Sequence, residues 1–324
     1  MAQYELKRKF STHKREVLEF LRKVDSNSIQ YYISYCQENY LPQSLKELQC
    51  LLDSLHYLED YLYYYEFFYP KQFDSILKNL KDHLDIIAVL PRARRGIYGE
   101  FVDSEKLVYI NPELGNSSTL TGKERTRLYL CHELGHIQNH EWILTGIDYV
   151  NKEGEDLNTR QTMYEGLSLL DEATTQERAE AITYYFSARK RPDLSSKCGR
   201  LFDGESYSSN FDYYGELEEP AIAFGKTLRG IGNSKTSQDI IHKLSIRTLD
   251  KDFVKKIFYE YQVDGHLDEL YLLLAYMGII KRAAYSKFGY DDPYYISISK
   301  RARDELETIA GPLRDYRPPF AHYH

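Results

Sequence analysis

Apolar residues recur at helical spacing over most of this 324-residue chain. In residues 4–68 they lie three or four positions apart and Pro42 interrupts them, which predicts a helical hairpin or small bundle. The same spacing returns in the last third of the chain and predicts several more helices there. These segments lie near 217–230, 236–246, 250–262, 266–285 and 298–310.

The interval between residues 72 and 120 has a different pattern. Residues 86–90 form a short continuous apolar run, and residues 96–102 and 106–110 alternate in polarity on either side of a short polar turn. This pattern predicts a small antiparallel sheet with a hairpin, which ends at Asn111-Pro112 because proline cannot donate to a strand ladder. The chain is therefore predicted to be α+β and mainly helical.

The sequence divides into three predicted parts. Residues 1–70 form an N-terminal helical lobe, whose tyrosine-rich end stops at Pro70. Residues 71–190 contain the sheet and two further helices. Residues 191–324 form a C-terminal helical lobe that begins with a loop rich in Ser, Gly, Asp and Tyr.

The distribution of charge argues against nucleic acid as a partner. The net charge is −7, and the 42 basic residues are dispersed along the chain instead of forming a stripe. The short cluster of Arg92, Arg94 and Arg95 is interpreted as a solvated loop.

The sequence also lacks the usual signs of export. Its first 20 residues are charged and amphipathic, and no stretch of 18 uninterrupted apolar residues follows. The four cysteines, Cys36, Cys50, Cys131 and Cys198, are widely spaced and form no CxxC pair. These features predict a cytoplasmic protein with reduced thiols and no membrane partner.

A histidine pair marks the most informative helix. Thr121 and Glu124 have the spacing of a capping box, which predicts a helix that starts there and continues to about Asn139. This helix contains His132-Glu133-Leu134-Gly135-His136, a HExxH motif. Helical geometry places the two imidazoles on one face about 6 Å apart along the axis, so both can bind one zinc ion.

Glu133 has a different predicted role. It is offset by about 100° from His132, so its carboxylate can accept a proton from the attacking water instead of binding the metal. Two imidazoles and one carboxylate leave a coordination position open, as a catalytic zinc site requires. The competing interpretation is a pair of surface histidines on an amphipathic helix.

The sequence leaves the third ligand open. A metzincin would need Gly at position 139 and His at position 142, where this chain has Asn139 and Trp142. His140 is eight residues from His132, about 12 Å along the helix, which is too far for one metal. We interpret His140 as exposed or as a residue that supports a ligand.

A second helix is predicted over residues 169–188. Its segment Asp171-Glu172-Ala173-Thr174-Thr175-Gln176 resembles the Glu-Ala-x-Ser-Asp segment of thermolysin-like gluzincins. The resemblance covers residues 97–188 and implies a zincin-like catalytic core. It assigns His132, His136 and Glu172 as zinc ligands and Glu133 as the general base. Gln176 replaces the acid that orients the first histidine in that family, and an amide adds no negative charge.

Glu177 and Glu180 remain alternatives to Glu172. Their Glu-Arg-Ala-Glu-Ala segment is similar to the glutamate-rich helix of ImmA/IrrE-type and lethal-factor-type metallopeptidases. Otherwise these two side chains are expected to form a solvated, salt-bridged face.

The resemblance implies a zinc metallopeptidase that hydrolyses a peptide or protein substrate. The strand at residues 106–110 is expected to accept an extended peptide if it lies at the sheet edge, and otherwise to be an ordinary hairpin strand. The candidates for stabilising the oxyanion are Tyr213, Tyr214, His242 and His266. The alternative function is a catalytically silent or regulatory zinc-binding interaction protein. The oligomeric state is not indicated.

Overall fold

The computed structural model describes residues 4–90, 97–116, 120–153, 157–188, 212–289 and 293–311. Over these residues the protein is mainly helical with one small sheet. The basic cluster at residues 92–95, Cys198, and the side chains of Tyr213 and Tyr214 lie outside the described part. The predictions made for them are therefore untested.

The N-terminal residues form the predicted helical hairpin. Helix α1 spans Lys14–Glu38 and helix α2 spans Leu45–Phe68, with Pro42 in the connection between them. Tyr40, in the same connection, has a left-handed backbone conformation with a φ of 53°. A short helix, α3, follows at Phe73–His83.

The sheet has three short strands: β1 (Ile86–Val89), β2 (Gly99–Val102) and β3 (Leu107–Ile110). Their order is β1-β3-β2. Strand β3 pairs with β2 antiparallel, as the hairpin pattern predicts, but it pairs with β1 in parallel. The sheet is therefore mixed, and the prediction of an antiparallel sheet is wrong.

The position of β3 decides between the two expectations for this strand, because the condition for peptide binding was a place at the sheet edge. Along the chain β2 follows β1, but in the sheet the last strand, β3, lies between β1 and β2. Strand β3 is therefore central, with both of its edges paired, and it cannot accept a peptide as an additional strand. In this sheet β1 and β2 are the edge strands.

Two long helices carry the motif residues. Helix α4 spans Gly122–Glu153 and helix α5 spans Leu157–Ala188. The predicted capping box starts α4, since the Thr121 amide donates to the Glu124 carboxylate at 2.8 Å. Helix α4 continues well beyond its predicted end at Asn139, and both Trp142 and Val150 in the extension are fully buried. Helix α5 likewise begins before its predicted start.

Among the described residues after α5, five more helices follow, close to the segments that the apolar spacing predicts. They are α6 (Asp212–Thr227), α7 (Ser237–Arg247), α8 (Phe253–Asp264), α9 (Leu267–Gly289) and α10 (Pro293–Ala310). Their apolar faces form a core in which Trp142 packs edge-on against Phe253, with ring centroids 5.3 Å apart.

The chain separates into two compact units. One combines Met1–Gln138 with Arg178–Leu201, and the other combines Asn139–Glu177 with Phe202–His324. Helices α4 and α5 are continuous through both division points, so each helix contributes to both units. The predicted three-part division is a different partition and stays a prediction.

No helix in the described part of the chain is long and apolar enough to cross a membrane. Cys36, Cys50 and Cys131 are free thiols.

Candidate metal centre

The two motif histidines face each other on α4. Their Nε2 atoms are 3.1 Å apart, and their rings are nearly perpendicular at 87°. Two nitrogen ligands of one tetrahedral zinc ion would lie about 3.3 Å apart, given bonds near 2.05 Å. The imidazoles of His132 and His136 therefore fit a shared metal ion. His132 is buried and His136 is half-buried.

The part of α4 that carries this pair is held firmly in place. Leu130, Leu134 and Ile137 are fully buried. The Tyr61 hydroxyl of α2 donates to the Leu134 carbonyl at 3.4 Å, and the Gln138 amide donates to the Ile76 carbonyl of α3 at 3.2 Å. These contacts fix the rotation of the helix, and with it the direction in which the histidines point.

Glu133 turns toward the sheet. Its side chain is 7% exposed, and its Oε2 accepts a hydrogen bond of 2.9 Å from the backbone amide of Phe101 in β2. The carboxylate also lies against Gly99, where a Cβ atom would be 3.0 Å from Glu133 Cγ. The predicted general base is thus beside an edge strand.

The structure brings the residue chosen as the third ligand to the histidine pair. Potential ligand atoms of His132, His136 and Glu172 all lie within 4.8 Å of one another. Glu172 is half-buried on α5. Two imidazoles and a carboxylate form a donor set suited to zinc, although the same set also accepts other transition metals.

Hydrogen bonds on either side of these residues hold α4 and α5 together. The Arg178 guanidinium donates to the Gly135 carbonyl at 3.4 Å. One turn further along α4, the Asn139 amide donates to the Asp171 carboxylate at 2.7 Å and to the Thr175 hydroxyl at 3.1 Å. The sequence interpretation missed the role of Asn139. No spacing pattern in the sequence marks it, because its partner Asp171 lies 32 positions further along the chain.

Glu177 and Glu180, the two alternatives for the third ligand, have different surroundings from Glu172. Glu177 is 1% exposed, and its Oε1 lies 3.1 Å from Nδ1 of His242 on α7. The expectation of a solvated surface at Glu177 is therefore wrong, because this side chain points into the packed helices. Glu180 is half-buried.

The candidates for stabilising the oxyanion remain untested. Burial lowers the pKa of His242, and the nearby Asp239 carboxylate only partly opposes this effect. A neutral imidazole at this position can both accept and donate a hydrogen bond. His266 lies at an exposed position and pairs with Glu269 at 3.4 Å.

His140 is half-buried and groups with His83 and Asp103, whose potential ligand atoms also lie within 4.8 Å of its own. The side chain of Asp103 is 45% exposed and already pairs with His83 at 2.8 Å. Exposed acidic groups such as Asp103 are common at protein surfaces without a metal ion.

No family model, curated protein or solved structure matches this chain. The gluzincin resemblance therefore depends on the sequence motifs alone.

Proposed function

We propose that this protein is a zinc-dependent metallopeptidase. His132, His136 and Glu172 are the proposed zinc ligands, and Glu133 is the proposed general base. The observation that carries the proposal is the grouping of the three ligand side chains, with ligand atoms within 4.8 Å of one another. We describe the proposed site as gluzincin-like because the helix that carries the HExxH motif is followed by a helix that carries a glutamate.

The donor set supports a catalytic site more than a structural one. Structural zinc sites are closed by four protein ligands, usually including cysteine. Cys131 is adjacent to His132 in sequence, but it is fully buried, and burial raises the pKa of its thiol well above the ordinary value. It is therefore a neutral core residue. Three protein ligands leave space for a water molecule and a substrate carbonyl.

The proposed reaction is hydrolysis of a peptide bond. When bound, zinc supplies Lewis-acid chemistry, because it acidifies a water molecule and polarises a carbonyl group. Glu133 accepts a proton from the attacking water and passes it to the leaving amine. The carboxylate is confined between α4 and β2, which restricts the directions from which it can reach that water.

The proposed substrate is an extended segment of a peptide or protein. Strand β3 cannot receive it, since both edges of β3 are already paired. The segment is proposed to bind beside β2, the edge strand adjacent to Glu133, without using the Phe101 N–H, which already donates to the Glu133 carboxylate.

The test begins with the metal content of the purified protein. We expect about one zinc per chain by elemental mass spectrometry, and loss of that zinc in His132→Ala and His136→Ala. Cleavage of a mixed peptide library is then compared for wild type, Glu133→Gln and the matched control Glu141→Gln. Glu141 is a half-buried acid on the same helix.

Glu133→Gln should retain zinc and lose cleavage by about 100-fold or more, whereas Glu141→Gln should behave as wild type. Stoichiometric zinc without any cleavage that depends on Glu133 would instead support the regulatory zinc-binding alternative. Absence of bound zinc in the purified protein and after zinc addition would reject both functions.

A further inference from the structure

The outer edge of β2 presents its backbone to Glu133. The Asn111 amide donates to the Tyr98 carbonyl at 3.0 Å, which makes Tyr98 and Asn111 a hydrogen-bonded pair. Antiparallel pairs alternate between hydrogen-bonded and non-hydrogen-bonded positions. Phe101, paired with Val108, therefore falls at a non-hydrogen-bonded position. Its N–H points away from β3, toward Glu133.

This amide makes a directional contact with a carboxylate that is almost completely buried. The distance from Phe101 N to Glu133 Oε2 is 2.9 Å, and Glu133 is 7% exposed. A hydrogen bond from a backbone amide to a carboxylate is stronger than one between neutral groups. Because the donor belongs to the sheet, its position does not depend on a side-chain rotamer.

Gly99 makes room for this contact. A Cβ atom at residue 99 would lie 3.0 Å from both Cγ and Oε1 of Glu133, closer than an ordinary van der Waals contact. Any larger residue would therefore push the carboxylate away from the strand. The backbone amide of Phe101 and the missing side chain of Gly99 together define one location for the carboxylate.

We propose that the edge of β2 positions the general base through the Phe101 backbone amide, with Gly99 providing the space. This inference rests on the proposed function. The Phe101 amide holds Oε2 of Glu133 at 2.9 Å and so fixes where the carboxylate lies. Phe101 is in this respect a positioning residue, because it acts through Glu133 and not on the substrate.

Amide hydrogen exchange tests the contact without any measurement of activity. We expect the Phe101 amide to be protected in wild type, although it faces away from the β3 ladder. Glu133→Ala should speed its exchange by about tenfold or more, and Glu133→Gln should retain much of the protection because an amide oxygen still accepts. Equal exchange of this amide in wild type and Glu133→Ala would overturn the proposal.

A proline substitution tests the positioning role. Phe101→Pro removes the outward N–H, and proline is tolerated on edge strands where the N–H is not part of the ladder. The matched control is Phe101→Ala, which removes the ring and keeps the N–H. We expect Phe101→Pro to lower kcat by about tenfold or more with little change in KM or zinc content, whereas Phe101→Ala should affect kcat far less.

Gly99→Ala supplies a second variant if the proline variant does not fold. It should displace the carboxylate by a few tenths of an ångström and lower kcat while zinc remains bound. Gly115→Ala is its control, since a Cβ atom there meets nothing within 4 Å. Equal kcat values for Phe101→Pro and Phe101→Ala, or no effect of Gly99→Ala, would reject the positioning role. Cleavage that does not change in Glu133→Gln would instead reject the proposed function.

Discussion

The Asn139 side chain donates a 2.7 Å hydrogen bond to the Asp171 carboxylate, and both residues are buried. Asn139 lies one turn beyond Gly135 on α4, and Asp171 precedes Glu172 on α5. Replacement of Asn139 by leucine removes a donor from a buried carboxylate. We expect a loss of about 2–3 kcal/mol in the free energy of unfolding, measured by urea denaturation.

A double-mutant cycle checks the cause of that loss. Replacement of both partners of a buried hydrogen bond by apolar residues costs less than removal of one partner. Asn139→Leu with Asp171→Leu should therefore be more stable than the sum of the single variants predicts. Strict additivity would show that the two side chains do not interact.

Glu172→Gln should weaken zinc binding more than either Glu177→Gln or Glu180→Gln. The loss of a direct ligand should exceed the roughly 10- to 100-fold that the loss of a ligand's hydrogen-bond partner costs. Competition with a chromogenic chelator measures the affinities. If Glu177→Gln or Glu180→Gln caused the largest loss of zinc affinity, that carboxylate and not Glu172 would be the third ligand.

Lowering the pH should release residues 11–13, which precede α1, from the Glu66 carboxylate. The Glu66 carboxylate accepts amides from Ser11, Thr12 and His13 at 2.8, 3.1 and 3.0 Å. Burial alone would raise the pKa of Glu66, but these hydrogen bonds outweigh burial and lower it. A lowered pKa in the folded state stabilises the protein above the unfolded pKa of about 4.3, and this stabilisation disappears as the pH falls through the folded value.

Hydrogen exchange at these three amides measures the release. Their protection should be stable from pH 7 to 5 and should fall below about pH 4. In Glu66→Gln the amides should be less protected at neutral pH, and their protection should change less on acidification. Protection that persists unchanged to pH 2 would contradict this account.

The Cys131 thiol should be inert in the folded protein. It is fully buried, and burial is the main cause of its raised pKa, so almost no thiolate is present at neutral pH. Alkylation by iodoacetamide, located by peptide mass spectrometry, should be at least about 100-fold slower in the native protein than in urea. Rapid native labelling of Cys131 would show that this face of α4 is open.

Gly278→Ala should destabilise the protein, although in a helix interior alanine is normally about 1 kcal/mol more favourable than glycine. A Cβ atom at Gly278 on α9 would overlap the carbonyl oxygen of Thr162 on α5, and one at Gly166 would overlap the carbonyl of Leu274. Close backbone packing leaves no flexible side chain to move away. We expect a cost of about 2–3 kcal/mol by thermal unfolding, with Gly115→Ala as the neutral control.

The predictions that succeeded depend on residues close together in the chain. The capping box of Thr121 and Glu124 follows from three-residue spacing, and the approach of His132 and His136 follows from one helical turn. The positions of the C-terminal helices follow from apolar periodicity. Each of these features is set by backbone geometry that repeats over a few residues.

Tertiary structure decided what local spacing could not. The central position of β3 and its parallel pairing with β1 depend on the order in which distant strands assemble. Glu172, Glu177 and Glu180 lie close together on one helix, but their different neighbours separate a candidate ligand from a partner of His242. Likewise, the contact of Glu133 with Phe101 joins residues 32 positions apart. Such contacts depend on how elements pack, because a side chain's partner across a core is not encoded by its spacing along the helix.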